Sequence, residues 1–211
     1  MKKSALLLMF TLSLLVFNAC EGIFGGLYDE PLPKTEYGFI ETKEDNSGTI
    51  YIDATSYTRW TYVNLKRKRI DTANIPMGQA EPEEWDFALH RYDVQTNGGS
   101  AYETNFSSLE QLREEGIPAA AFFTPDSLSR IAIDMSGMMD GIIVYDTCPL
   151  NFTLSRWIEV NTSTMPPVYT LSMKPYVLRL SDGSHAGLLF SNFTNASLAK
   201  GYITINYIYP L

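Results

Sequence analysis

The feature that most constrains the fold is an alternating segment at residues 85–99. Trp85, Phe87 and Leu89 fall on one face of an extended chain, and the opposite face also carries bulky residues. Bulk on both faces is typical of a strand inside a sheet that is covered on each side. Residues 97–99, Asn-Gly-Gly, accept positive φ and predict a turn. We therefore predict one central β-strand that ends at this turn.

Further short segments have the same two-residue period and are separated by turn residues, which predicts strands. They cover residues 49–53, 57–65, 130–134, 141–145, 154–160, 168–173, 176–180, 187–193 and 202–209.

Helices are predicted in only two places. Ser107 and Glu110 form a capping box and Gly116 is a stop signal, which predicts a helix at residues 108–115. Residues 195–200 are compatible with a single helical turn. With 13% aromatic residues, the whole pattern predicts one all-β (β-dominated) domain with one or two short helices.

The N-terminus resembles a bacterial lipoprotein signal. Lys2 and Lys3 precede a short apolar run, and a small residue, Ala19, stands before Cys20. Cleavage there would leave Cys20 as the lipidation site; an ordinary secretory signal with a chance cysteine is the alternative. We predict a signal peptide at 1–19, a lipid-anchored tether at 20–36 and the β domain at 37–211.

The net charge and the cysteine content restrict which binding partners and which stabilising bonds are expected. Cleavage removes two lysines and no acidic residue, so the formal net charge falls from −8 to −10. A protein surface with this negative charge repels the phosphate backbones of nucleic acids, and we predict no nucleic-acid partner. The basic run at residues 66–69 is therefore interpreted as a solvated strand end or hairpin tip. If Cys20 carries lipid, Cys148 has no intramolecular partner, and no disulfide stabilises the fold.

No common catalytic motif is present, and we predict that the protein is not an enzyme. Of the two histidines, His90 is interpreted as a core residue of the central strand. His185 lies in a Gly/Ser-rich turn and is interpreted as solvated.

Methionines stand out in two polar, turn-like segments. Met135, Met138 and Met139 lie in one, and Met165 precedes two prolines in the other. Apolar thioethers in loops either fill a core beneath the loop or face a ligand. From composition alone, we favour the interpretation that these methionines fill a core beneath the loops.

Sequence blocks in order along the chain resemble the HmuY family of haem-binding bacterial lipoproteins. The most specific block is residues 85–97. The others are residues 51–57 with Trp60 and Tyr62, residues 157–160, 167–172, Arg179 with 181–183, 200–204 and 207–210. The resemblance implies a hand-shaped β domain that holds haem between two loops.

The resemblance also implies one axial iron ligand from each loop. The founding member uses two histidines, but neither loop here contains one, and the second histidine position corresponds to about Thr162. Relatives use paired methionines. The implied ligands are Met165 with one of Met138 and Met139, and Met135 ranks third. Met138 and Met139 cannot both face the iron if their loop is extended.

The implied function is that of a haemophore on the outer membrane or cell surface, or shed from it. It would capture haem as cargo and deliver it to an outer-membrane receptor. The alternative is a HmuY-like surface β lipoprotein that binds a different ligand or acts in adhesion.

Overall fold

The computed structural model describes residues 36–211, which form fifteen β-strands and two short α-helices. The predicted signal peptide and all but the last residue of the predicted tether lie outside this range. The helices are α1 (Leu109–Glu115) and α2 (Phe152–Ser155). The strands are β1 (Phe39–Thr42), β2 (Ser47–Asp53), β3 (Trp60–Asn64), β4 (Arg69–Ala73), β5 (Phe87–His90), β6 (Asp93–Thr96), β7 (Ser100–Glu103), β8 (Thr124–Pro125), β9 (Ser127–Asp134), β10 (Val144–Leu150), β11 (Ile158–Asn161), β12 (Val168–Leu171), β13 (Tyr176–Arg179), β14 (His185–Thr194) and β15 (Lys200–Ile208).

The largest sheet has seven strands in the order β1-β2-β15-β14-β13-β7-β8. Strict alternation in β2 turns Ile50 and Ile52 inward. They pair with Ile205 and Ile203 of β15 in antiparallel register. The alternating residues thus form one continuous apolar face, as their period of two predicts.

The second sheet has four strands in the order β4-β3-β5-β6 and is covered on both faces. Val63, Phe87 and Leu89 face the large sheet and join the main core. On the opposite face, Tyr62 and Ala88 pack beneath the β9–β10 hairpin. The all-β prediction is confirmed, and so is the prediction that this segment is covered on each side.

The prediction of one central strand over residues 85–97 was wrong. The chain reverses after β5, and β6 returns antiparallel beside it, with His90 opposite Asp93. The two-residue turn is Arg91-Tyr92, and Arg91 has φ 55°. Neither residue is a typical turn former, so the alternation concealed the reversal. The predicted turn near Gly98 is present, with φ 69°.

Three other predictions need correction. The first two residues of the strand predicted at 154–160 belong to α2 and the strand itself begins at Ile158, because the Asn151 side chain caps the helix by accepting from the Leu154 amide at 2.9 Å. Residues 195–199 form the turn between β14 and β15 rather than a helical turn, and Lys200 is the first residue of β15. His185 is not solvated: it is the first residue of β14, half-buried beside the ring of Phe123.

Helix α1 begins and ends close to the prediction. Its N-cap is Ser108, whose hydroxyl accepts from the Gln111 amide at 3.1 Å, one residue later than the predicted capping box. Leu109 and Leu112 bury its inner face on the outside of the large sheet. The basic run also lies where predicted, at the β3–β4 turn.

Candidate functional site

Two hairpins, β9–β10 and β11–β12, extend from the same end of the domain. Asp134, the last residue of β9, is close enough to act electrostatically on His90 at the end of β5. Tyr169, near the start of β12, contacts Tyr92 in the turn that follows β5. Both hairpin tips therefore lie near the β5–β6 turn. They are residues 135–143, the first tip, and residues 162–167, the second tip.

The first tip presents two methionines from one 3₁₀ turn, Met138–Asp140. Gly141, with φ 75°, closes the turn by donating its amide to the Met138 carbonyl at 3.1 Å. The side chain of Met138 is 47% exposed and that of Met139 is 91% exposed, whereas Met135 is half-buried. Successive side chains in a 3₁₀ turn differ in direction by about 120°, so the two point to different sides.

The second tip holds Met165 in a polar turn. The Asn161 side chain accepts from the amide and hydroxyl of Ser163, which fixes the start of the turn. Met165 is 90% exposed and precedes Pro166, whose fixed φ restricts the chain. The structure therefore places the predicted ligands of both loops on hairpin tips at one end, with Met139 and Met165 almost fully exposed.

His90 is fully buried between the four-stranded sheet and the first hairpin. Its Nε2 lies 3.0 Å from the Tyr57 carbonyl, and its ring packs on Trp60 with centroids 5.3 Å apart. Burial lowers the pKa of this imidazole, which favours its neutral form. The prediction of a core histidine is confirmed.

A cluster that the sequence did not predict joins the β5–β6 turn to the start of β12 and the start of β15. We call it the tyrosine–cation cluster; it comprises Tyr57, Arg91, Tyr92, Tyr169 and Lys200. The Arg91 guanidinium lies over Tyr57 and Tyr92, 4.6 and 5.3 Å from their ring centroids. The Lys200 ammonium lies 3.8 Å from the centre of the Tyr169 ring. No local pattern marks these residues, because only the fold brings them together.

The hydroxyl of Tyr92 is buried at the centre of this cluster. It has no hydrogen-bond partner within residues 36–211, although it lies close to the Tyr169 side chain. Burial raises the pKa of Tyr92 to about 12, so the phenol keeps its proton at neutral pH. The cluster is therefore cationic and aromatic, with a protonated phenol at its centre.

The cavity between the base of the second hairpin and β7 has a volume of about 540 Å³. Its lining includes Glu103, Ile158 and Lys174 and none of the predicted methionine ligands. Within residues 36–211 no group of three or more His, Cys, Asp or Glu side chains could hold a metal ion. None of the helices described is long and apolar enough to cross a membrane. Cys148 forms no disulfide in this part of the chain.

The fold and the site together define an all-β domain that presents two hairpin tips at one end. The sequence model of the HmuY protein family matches residues 56–207. The chain belongs to the HmuY family, which confirms the resemblance seen in the sequence blocks.

Similar solved structures agree with this assignment. A candidate HmuY-like haem-binding protein from Bacteroides vulgatus is 49% identical, with a TM-score of 0.78 over 83% of this chain and 99% of its own. A candidate lipoprotein from Bacteroides fragilis is 42% identical, with a TM-score of 0.77 over 85% and 99%. The apo form of a HmuY analogue from Tannerella forsythia is 28% identical, with a TM-score of 0.65 over 79% and 97%. No curated protein matches the chain.

Proposed function

We propose that this protein is a haem-binding surface lipoprotein, a haemophore that captures haem and delivers it to an outer-membrane receptor. The observation that carries the proposal is the pair of hairpin tips at one end of a HmuY-family domain, each with an exposed methionine. The protein would catalyse no reaction, and haem would be its cargo.

The donor atoms of the two tips suit haem iron. We propose Met165 as one axial ligand and either Met138 or Met139 as the other. A thioether is a soft, neutral ligand that favours ferrous over ferric iron. Methionine side chains also adapt to the flat apolar face of a macrocycle. Because these side chains are exposed on the tips, a ligand can reach them without unfolding the core.

The location follows from the N-terminus. We propose a signal peptide at residues 1–19, lipid on Cys20, a tether at 20–36 and the β domain at 37–211, on the outer membrane or cell surface or shed from it. The haem-binding and lipoprotein assignments of the two Bacteroides proteins support haem binding and lipidation here.

Titration of the full chain with ferric and ferrous haem tests the proposal. We expect tighter binding of ferrous haem and a six-coordinate spectrum unlike that of bis-histidine ligation, because both ligands are thioethers. Equal affinity for the two oxidation states, or a bis-histidine spectrum, contradicts paired methionines. No haem binding at all favours the alternative of a HmuY-family surface protein with a different ligand.

A further inference from the structure

We propose that Arg91 and Lys200 form a carboxylate clamp that binds the two acid groups of haem at the base of the hairpins. This inference rests on the proposed haem-binding function and adds the residues that would meet the acidic edge of the ligand.

The backbone places the Arg91 side chain beside Gly201, the residue that follows Lys200. The Arg91 Nη1 donates to the carbonyls of Ala54 and Thr55 at 3.2 and 2.9 Å. Gly201, next to Lys200, accepts from the Ala54 amide at 2.8 Å. A Cβ on Gly201 would lie 2.9 Å from Arg91 Nη1, and Gly201 has φ 99°. Only glycine combines this conformation with so close an approach.

Neither cation is neutralised in residues 36–211. The ion pairs there join other residues, and none includes Arg91 or Lys200. The carboxylate of Asp53 accepts from the amide and hydroxyl of Thr55 at 3.0 and 2.6 Å, both through Oδ1, and within residues 36–211 it forms no ion pair with either cation. In a chain of net charge −8, two cations without ion pairs, held on the packed rings of Tyr92 and Tyr169, create a local positive potential that attracts anions.

Arg91, in the β5–β6 turn, has an unfavourable backbone conformation. Arg91 has φ 55°, a conformation that glycine and asparagine adopt more readily than arginine. Backbone strain of this kind is concentrated at functional sites. An arginine at this position therefore points to a role for its side chain beyond closing the turn.

The chemistry around the cations indicates a flat, apolar acid. Arg91 uses Nη1 for the backbone contacts, which leaves Nε and Nη2 in the planar arrangement that matches a carboxylate. Beside it, Tyr92 packs on Tyr169, and Tyr169 stacks on Phe193 with centroids 5.4 Å apart. A macrocycle with carboxylates at one edge, such as haem, fits a cationic group bordered by aromatic rings.

The test compares haem with haem dimethyl ester, which lacks free carboxylates, using the full chain. We expect the parent to bind haem about tenfold more tightly than the ester, since one charge-assisted hydrogen bond supplies an effect of this size. Arg91→Gln/Lys200→Gln should bind the two compounds equally. Lys66→Gln/Arg156→Gln removes the same charge elsewhere and should keep the parent's ratio.

One further variant and one further ligand separate the outcomes. Arg91→Lys/Lys200→Arg keeps both charges and should retain most of the preference, even if the glutamine variant proves unstable. A glutamine variant that still prefers haem as the parent does overturns the clamp and leaves the proposed function standing. Binding of metal-free protoporphyrin that depends on Arg91 and Lys200, without methionine ligation of haem, supports the clamp and overturns the methionine ligands. A parent that binds none of the three compounds overturns both proposals.

Discussion

The rings of Tyr92 and Tyr169 meet edge to face, with centroids 5.7 Å apart. This contact joins the β5–β6 turn to the hairpin that carries Met165. The indole of Trp157 adds a second connection, because its Nε1 donates to the Tyr92 carbonyl at 3.0 Å. Trp157 itself stacks on Phe190 of the large sheet, with centroids 4.7 Å apart. The second hairpin is therefore positioned by the main core, and the start of β12, next to its tip, packs against aromatic rings.

Met165→Leu should abolish the low-spin haem spectrum while folding is retained. The substitution removes the donor sulfur and nearly conserves volume, which costs less than about 1.5 kcal/mol in stability. Met165→His should restore six-coordinate binding. Met173→Leu, at the base of the same hairpin, is the matched control and should behave like the parent in haem titrations. Parent-like binding by Met165→Leu would exclude Met165 as a ligand.

Met138→Leu and Met139→Leu should have unequal effects on haem affinity. Adjacent side chains in the 3₁₀ turn diverge by about 120°, so only one thioether can face a common iron atom. One variant should lose the low-spin spectrum and the other should retain it. If both variants and Met165→Leu all bind haem as the parent does, the methionine site is wrong.

His90→Ala should leave the haem spectrum unchanged and lower the stability of the fold. The imidazole is fully buried against Trp60, and truncating a large core side chain costs about 2–4 kcal/mol. Urea unfolding monitored by fluorescence measures the stability loss, and a haem titration below the unfolding range measures the spectrum. An altered spectrum in the folded variant would mean that His90 contributes to ligation.

Asp93→Asn should stabilise the protein at neutral pH. Burial raises the pKa of Asp93 to about 6, so the folded state holds this proton more tightly than the unfolded state. Deprotonation of Asp93 therefore lowers the free energy of unfolding as the pH rises from about 4 to 6. Above pH 6 the full destabilisation by the buried carboxylate is present. Removing the charge should add about 2 kcal/mol at pH 7.5.

The matched control for Asp93→Asn is Glu159→Gln, which neutralises an exposed carboxylate on β11. It removes the same charge from an exposed site and should change stability less than Asp93→Asn does at pH 7.5. Denaturant unfolding at these two pH values gives the comparison. An Asp93→Asn variant whose advantage over the parent is the same at both values would contradict the pKa assignment.

Cys20→Ser should release the protein from the membrane fraction. The proposed lipid attachment would need the Cys20 thiol, and no helix within residues 36–211 is long and apolar enough to cross a bilayer. Fractionation of cells that express the parent and the variant tests this, with detection of signal cleavage at the Ala19–Cys20 junction. A variant that is cleaved and still retained in the membrane would contradict the lipid anchor.

Short-range patterns were sufficient to predict much of the fold. The period of two in β2 and β15 predicted their inward faces, because side chains alternate along any strand regardless of its partners. Ser107, Ser108 and Gly116 predicted α1 to within a residue at its start, because capping and stopping depend on local backbone groups. The resemblance to the HmuY family, carried mainly by residues 85–97, was sufficient for the family assignment.

Only the tertiary structure decided the β5–β6 reversal and the tyrosine–cation cluster. Arg91 has a positive φ in the two-residue turn, and its guanidinium is bound by the carbonyls of Ala54 and Thr55 beside Gly201. These partners are distant in the sequence, so no local propensity encodes the turn. The sequence alone determined which residues alternate and where methionines occur in polar loops. Long-range packing determined that both methionine tips and both unpaired cations lie at the same end of the domain.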